Sequence, residues 1–214
     1  MNNPTNEVYE SLQKAYEFFN KELFSGALPS CLITMQRKGK ARGYFCAERF
    51  ETRNGQSYKV HEIALNPTLF RERSDSEIIS TLVHEMIHLW QEEQGTAPRK
   101  AYHNKEWARR MEEVGLIPSN TGEEGGRKTG HSVSHYIVSG GKFDKLVKTL
   151  LKDNLSVVYQ DSPEMKITRK KNRNKIKYSC PECGINAWGK PGVNLLCGND
   201  KAQLVGIIPE EDEA

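Results

Sequence analysis

A chain of 214 residues with 31 basic and 28 acidic side chains carries a formal net charge of only +3, so any attraction for a polyanion must be local. That length suits one main domain plus a small appendage, and a domain of about 150 residues buries roughly two-thirds of its unfolded surface, enough to fold without covalent staples. No stretch approaches the ~20 apolar residues that span a bilayer, the start Met1-Asn2-Asn3-Pro4-Thr5 lacks the pattern of a secretory signal, and five cysteines is an odd number. We therefore expect a cytoplasmic monomer without membrane contact, its cysteines reduced or bound to metal.

After Pro4, apolar residues at Val8, Leu12, Phe19 and Leu23 have the spacing of an amphipathic helix, ended by Ser25-Gly26 and Pro29. Strand character follows over Cys31–Met35, Gly43–Phe50 and Tyr58–Leu65, with Asn54-Gly55 as a hairpin signal between the last two. Ser74-Asp75-Ser76-Glu77 reads as a capping box. The helix it opens has Ile78, Ile79, Leu82, Val83, Met86, Ile87, Leu89 and Trp90 on one half, and Thr81, His84, Glu85, His88 and Glu92 on the other. A further helix is expected from about Asn104 to Val114, a Gly- and Thr-rich loop over Asn120–Gly130, a short helix over Phe143–Leu151 and a strand over Leu155–Tyr159. Cys31 and Cys46, inside strand-like runs, read as small buried hydrophobes.

The polar half of the second helix carries His84-Glu85-Met86-Ile87-His88. Two histidines four residues apart on a helix point the same way, so one tetrahedral metal can accept both. Glu85 is not needed as a ligand and lies where a general base would take a proton from water. Catalytic zinc takes three protein ligands and leaves one position open. His103, after a loop of fourteen residues and directly before the next helix, is the leading third ligand, and Glu106 is its rival. The plainer reading of the same residues is a solvated polar face.

His84-Glu85-Met86-Ile87-His88-Leu89-Trp90, His103 and Glu106-Trp107 together resemble the SprT-like family of zinc metallopeptidases, as do Gly43-Tyr44-Phe45 and Glu62-Ile63-Ala64-Leu65-Asn66-Pro67. The resemblance extends over roughly residues 7 to 205. It implies Zn2+ at His84, His88 and His103 and Glu85 as base. In the eukaryotic Spartan branch it implies DNA-dependent cleavage of proteins crosslinked to DNA. A compact C-terminal module such as this one resembles the bacterial or mobile-element branch. The expected architecture is α+β: a zincin-like domain over 1–160 with a small antiparallel sheet, a basic linker over 161–177, a zinc-ribbon-like module over 178–208 and an acidic tail over 209–214.

Cys180-Pro181-Glu182-Cys183 is a knuckle whose turn aims two thiolates inward, and Cys197 follows after thirteen residues. A ribbon of the CxxC…CxxC kind would place cysteine at position 200, and this chain has Asp200 there. Either Asp200 completes a weaker structural zinc site or the ribbon folds without metal. Arg169, Lys170, Lys171, Arg173 and Lys175 lie in a strip free of acids, a candidate for phosphate contact or simply a solvated linker. Tyr178 and Trp188 are candidates for stacking on unpaired bases. His135 and Tyr136, after the glycine-bearing loop, either offer a hydrogen bond to a developing oxyanion or serve packing. The expected function is zinc-dependent hydrolysis of peptide bonds in DNA-associated or DNA-crosslinked proteins. The alternative is a non-catalytic DNA- or protein-binding module with structural zinc.

Overall fold

A computed structural model describes residues 3–53, 58–98, 102–153, 155–162 and 175–207. The chain separates into two compact units, Met1–Ser162 and Pro163–Ala214. Among the described residues no helix is long and apolar enough to cross a membrane.

Helix α1 (Pro4–Phe24) starts where the Asn3 side chain accepts from the Thr5 and Asn6 amides and proline takes the first turn. It ends at Ser25 in the left-handed conformation and buries Leu12, Ala15, Phe19 and Leu23. Strands β1 (Leu32–Met35), β2 (Gly43–Glu51) and β3 (Lys59–Leu65) follow in a sheet of order β1-β3-β2. This sheet is mixed and not antiparallel as expected: β2 pairs antiparallel with β3, while β1 takes the far side of β3 and runs parallel to it. The reason lies in the chain path. Successive strands reverse direction, so the first and third point the same way and become parallel once they are neighbours. The Asn54-Gly55 hairpin signal lies outside the described residues.

Helix α2 (Asp75–Gln94) opens on the expected capping box, with the Ser74 and Glu77 side chains each bonded to the other residue's amide. Every residue from Ile78 to Ile87 is buried, Ser80, Thr81, His84 and Glu85 included. Thr81, His84 and Glu85 are therefore withdrawn from solvent, whereas His88 is half-buried and Glu92 exposed, so the plainer reading of the polar half as a solvated face holds only towards the end of the helix. Helix α3 (Lys105–Val114) is capped by Asn104 and closed by Gly115, whose φ of 89° is one that residues with a side chain rarely adopt. Strands β4 (Leu116–Ser119) and β5 (Ser134–Ile137) form an unexpected two-stranded sheet, and α4 (Lys142–Lys152) stacks Phe143 on Phe19 of α1. Leu155–Tyr159 is not a strand. It lies along the surface without a strand partner, held by Leu155 in the core and Tyr159 on Glu7, with the Arg37–Asp161 pair just beyond.

In the second unit β6 (Ile176–Ser179) pairs antiparallel with β7 (Asn186–Gly189) on one side and β8 (Val205–Ile207) on the other. Among the described residues its buried cluster is Tyr178, Cys180, Cys197 and Leu204.

Candidate metal centre

Helix α2 presents His84 and His88 one turn apart, with their ring centroids separated by 5.2 Å. After α2 stops at Gly95, His103 returns in a two-way backbone bridge with Gly130 just before the cap of α3. Its ring lies 5.4 Å from that of His84 and 4.8 Å from that of His88. One ligand nitrogen from each of the three falls within 4.8 Å of the others. Trp107, the third residue of α3 and fully buried, forms the floor, its ring 4.8, 5.2 and 4.3 Å from those of His84, His88 and His103.

Hydrogen bonds fix how these rings face. His103 Nδ1 lies 3.0 Å from the Gly130 carbonyl, an obligate acceptor, so Nδ1 carries the proton and Nε2 keeps the free lone pair. Burial, with the neighbouring imidazoles, holds His84 well below its ordinary pKa and pushes His88 down to about 3. Burial also lowers His103, partly offset by the Gly130 carbonyl. All three are therefore neutral at pH 7, the form that binds metal.

Glu85 is 5% exposed, and burial pushes its carboxyl up to about 8, opposed by the Phe45 amide and the charge of Lys38. The amide shows that β2 runs directly against this side chain. Gly43 explains the close approach. A Cβ at that position would lie 2.8 Å from the Ala64 carbonyl, 2.9 Å from Thr81 Cγ2 and 3.2 Å from Glu85 Oε1. Glu106 is engaged elsewhere, accepting from the Gln91 side chain at 2.9 Å and from the Thr96 amide at 2.8 Å. His103 is the third member of the cluster.

The cluster opens into a cleft of about 870 Å3, lined on one side by Arg42–Ala47 of β2 and its approach and on the other by Tyr102 and His131–His135. His135 is buried in the cleft wall, bonded through Nδ1 to His84 and through Nε2 to Ser80, so both of its ring nitrogens are engaged within the protein. Tyr136 is half-buried, pairs with Ile117 across the β4–β5 sheet, and is not among the cleft-lining residues. Cys46, read from sequence as buried, is half-buried and lines the cleft; Cys31 is half-buried against the core.

In the second unit Cys180, Cys183, Cys197 and Asp200 bring one ligand atom each within 4.8 Å of one another. Asp200 Oδ2 lies 3.5 Å from Cys180 Sγ and 3.3 Å from Cys197 Sγ, and Cys183 Sγ is 3.6 Å from Cys197 Sγ. The Asp200 carboxylate pushes the Cys183 thiol up to about 12, so a cation entering the cluster would have protons to displace. Both clusters are donor sets compatible with a metal ion. Tyr178 is buried, its hydroxyl donating to the Lys190 carbonyl and accepting from the Val193 amide, so it packs the module and offers no face to a base. Trp188 is 64% exposed. Of the basic strip, Lys175 is exposed at the edge of β6, and Arg169, Lys170, Lys171 and Arg173 lie outside the described residues.

Comparison with known proteins settles the family. The description of SprT-like proteins matches residues 12–124, more than half of the chain and the whole of the histidine cluster. The chain belongs to the SprT-like family. A Salmonella typhimurium relative, described as an uncharacterized protein in the mucB 3′ region, is 51% identical over 63 residues, which cover 29% of this chain and 84% of that protein. SprT-like proteins have a zincin-like fold and are associated with zinc metallopeptidase activity, and the mixed α/β first unit of this member agrees with that class. Ser80 supports the site without a sign in the sequence. Gly43 and Trp107 stand out only within Gly43-Tyr44-Phe45 and Glu106-Trp107, and His135 as an oxyanion or packing candidate; their contacts with Glu85, with the three rings and with His84 come from the structure.

Proposed function

We propose that this SprT-like protein hydrolyses peptide bonds with zinc held by His84, His88 and His103, and that Glu85 is the general base. The observation that carries this reading is a buried carboxyl immediately beside three neutral imidazoles whose ligand nitrogens converge within 4.8 Å. Zinc in that position supplies Lewis acidity, which acidifies water towards a pKa of about 7 and polarises a carbonyl. The residues of the chain do the rest. Burial holds the Glu85 carboxyl up, and a zinc ion at the three histidines would favour its carboxylate, the form a general base needs. Its carboxylate takes the proton from the attacking water and delivers it to the leaving amine nitrogen. The Phe45 amide keeps the carboxylate oriented, and the open edge of β2 along the cleft offers backbone groups to an extended polypeptide.

The second unit is a zinc-ribbon-like module with Asp200 as its fourth ligand. Bonds of ~2.3 Å to sulfur and ~2.0 Å to oxygen give a tetrahedral site S–S edges of about 3.8 Å and S–O edges of about 3.5 Å. The distances of 3.6, 3.5 and 3.3 Å already lie close to those edges. By register Trp188, Lys177 and Ile207 share one row across its sheet, on the face opposite Tyr178. An exposed indole beside Lys177 and Lys175 suits stacking on unpaired bases with salt-sensitive phosphate contact. The substrates we assign are proteins associated with DNA.

The test compares wild type with Glu85→Gln, each assayed for zinc content and for cleavage of a DNA-binding protein with and without single-stranded DNA. The expected result is equal zinc in both, cleavage by wild type alone and stimulation by DNA. Equal cleavage by the two proteins contradicts the role of Glu85, and indifference to DNA contradicts the substrate class.

A further inference from the structure

We infer that His135 is a positioning residue that fixes the proton of His84 on Nδ1 and so reserves Nε2 for the metal. This rests on the reading of His84 as a ligand, but proton placement follows from the hydrogen bonds alone. Four groups form a line: His84 Nδ1 is 3.1 Å from His135 Nδ1, His135 Nε2 is 2.8 Å from Ser80 Oγ, and Ser80 Oγ is 2.8 Å from the Glu77 carbonyl oxygen. The three side chains are buried, so water does not complete these bonds.

The end of the line sets its direction. The Glu77 carbonyl can only accept, and although it also receives Arg73 Nη2 and, at 3.4 Å, Thr81 Oγ1, its 2.8 Å contact with Ser80 Oγ places the one hydroxyl proton of Ser80 between the two oxygens. His135 Nε2 must then donate to Ser80. A neutral imidazole that donates from Nε2 accepts at Nδ1, so His84 donates from Nδ1 and its lone pair sits on Nε2. Reversing the line would aim the hydroxyl proton of Ser80 at His135 and leave two acceptors, Ser80 Oγ and the Glu77 carbonyl, in contact without a proton. It would also put the proton of His84 on Nε2, where it would block coordination. The first turn of α2 thus sets the tautomer of a histidine two turns along the same helix, through a residue that β5 lays against it.

The arrangement differs from the usual support of a metal-bound histidine, where a carboxylate or carbonyl receives the second ring proton. His103 has that usual support in the Gly130 carbonyl. A neutral imidazole as acceptor adds no negative charge behind the site. Its own orientation, however, depends on Ser80, so the loss of either residue should reach the metal.

Long-range proton–nitrogen spectra of the full-length, metal-free protein read the tautomers directly. The expected result is His84 protonated at Nδ1 and His135 at Nε2. His135 protonated at Nδ1 would overturn the inference. Zinc affinity by chelator competition supplies the second measurement. His135→Phe, which keeps a ring and removes the acceptor, should weaken the histidine site about 10- to 100-fold and leave the cysteine site unchanged. His135→Asn, whose amide oxygen can stand where Nδ1 stands, should restore most of the affinity, and Ser80→Ala should lose less than His135→Phe. Equal affinities for the Phe and Asn variants would reduce His135 to packing and overturn the proposal. A wild type with the expected tautomers and no zinc at the histidines would instead sink the reading of His84 as a ligand.

Discussion

The histidine cluster rests on a core that exists without it. His84 and His88 ride a helix buried from Ile78 to Ile87, Trp107 fills the space beneath, and Phe19 and Phe143 stack in the same core. In the second unit the relation is inverted. Among the described residues Tyr178, Cys180, Cys197 and Leu204 are its buried cluster, and two of those four belong to the candidate ligand set. A cluster of that size cannot offset the conformational entropy of some thirty residues, so a metal there would act as the core. Metal would thus be a reagent in one unit and a structural element in the other.

Stripping zinc with a chelator should separate the two most sharply. We expect the second unit to lose its strand signals altogether, since structural zinc contributes about 10–16 kcal/mol of apparent binding energy to such folds. The first unit should keep its helices and lose only activity. Backbone NMR of the full chain with and without chelator reads both at once, and a second unit that stays folded would break the comparison.

The next effect is confined to the first unit. Gly43→Ala places a methyl against the Ala64 carbonyl and the Glu85 carboxylate, so β2 and Glu85 must move apart. Overpacking of this kind costs about 1–3 kcal/mol. A displacement near 1 Å at the base lowers turnover about 100-fold. Thermal melting together with kcat measures the two, and a variant with wild-type kcat would free Glu85 from dependence on β2.

The smallest effect sharpens the claim that the first unit stands on ordinary helix physics. The Ser74 amide and hydroxyl hold the Glu77 carboxyl below its usual pKa. A carboxyl lowered on folding contributes stability above its unfolded pKa, and that contribution disappears as pH falls through the folded value. Glu77 is exposed, so solvent screens its charge: Glu77→Gln should cost only about 0.3–0.5 kcal/mol at pH 7 and nothing at the acid end, where the two melting curves converge. Parallel curves at all pH values would remove the ionised cap from the account.

What was legible in the sequence was what depends on local order. The capping box, the spacing of His84 and His88, and the glycine at the end of α3 are short-range patterns, and the structure reproduces them. What depends on chain return was not. The parallel pairing of β1 with β3 and the β4–β5 sheet are set by partners far along the chain. The seating of His135 against His84 joins residues 51 positions apart. Amphipathicity also misled in one respect. The polar half of α2 resembles a wet surface, yet Thr81, His84 and Glu85 are buried in the wall of the cleft beside β2, α3 and His135, as polar side chains can be where hydrogen bonds satisfy them.

The most direct test of the central claim is zinc counted per full-length chain in wild type and in His103→Ala. Two ions falling to one, with the cysteine site still filled and cleavage abolished, is the predicted result. An unchanged count, with His103→Ala still cleaving its substrate, would contradict the metal centre on which the proposed hydrolysis depends.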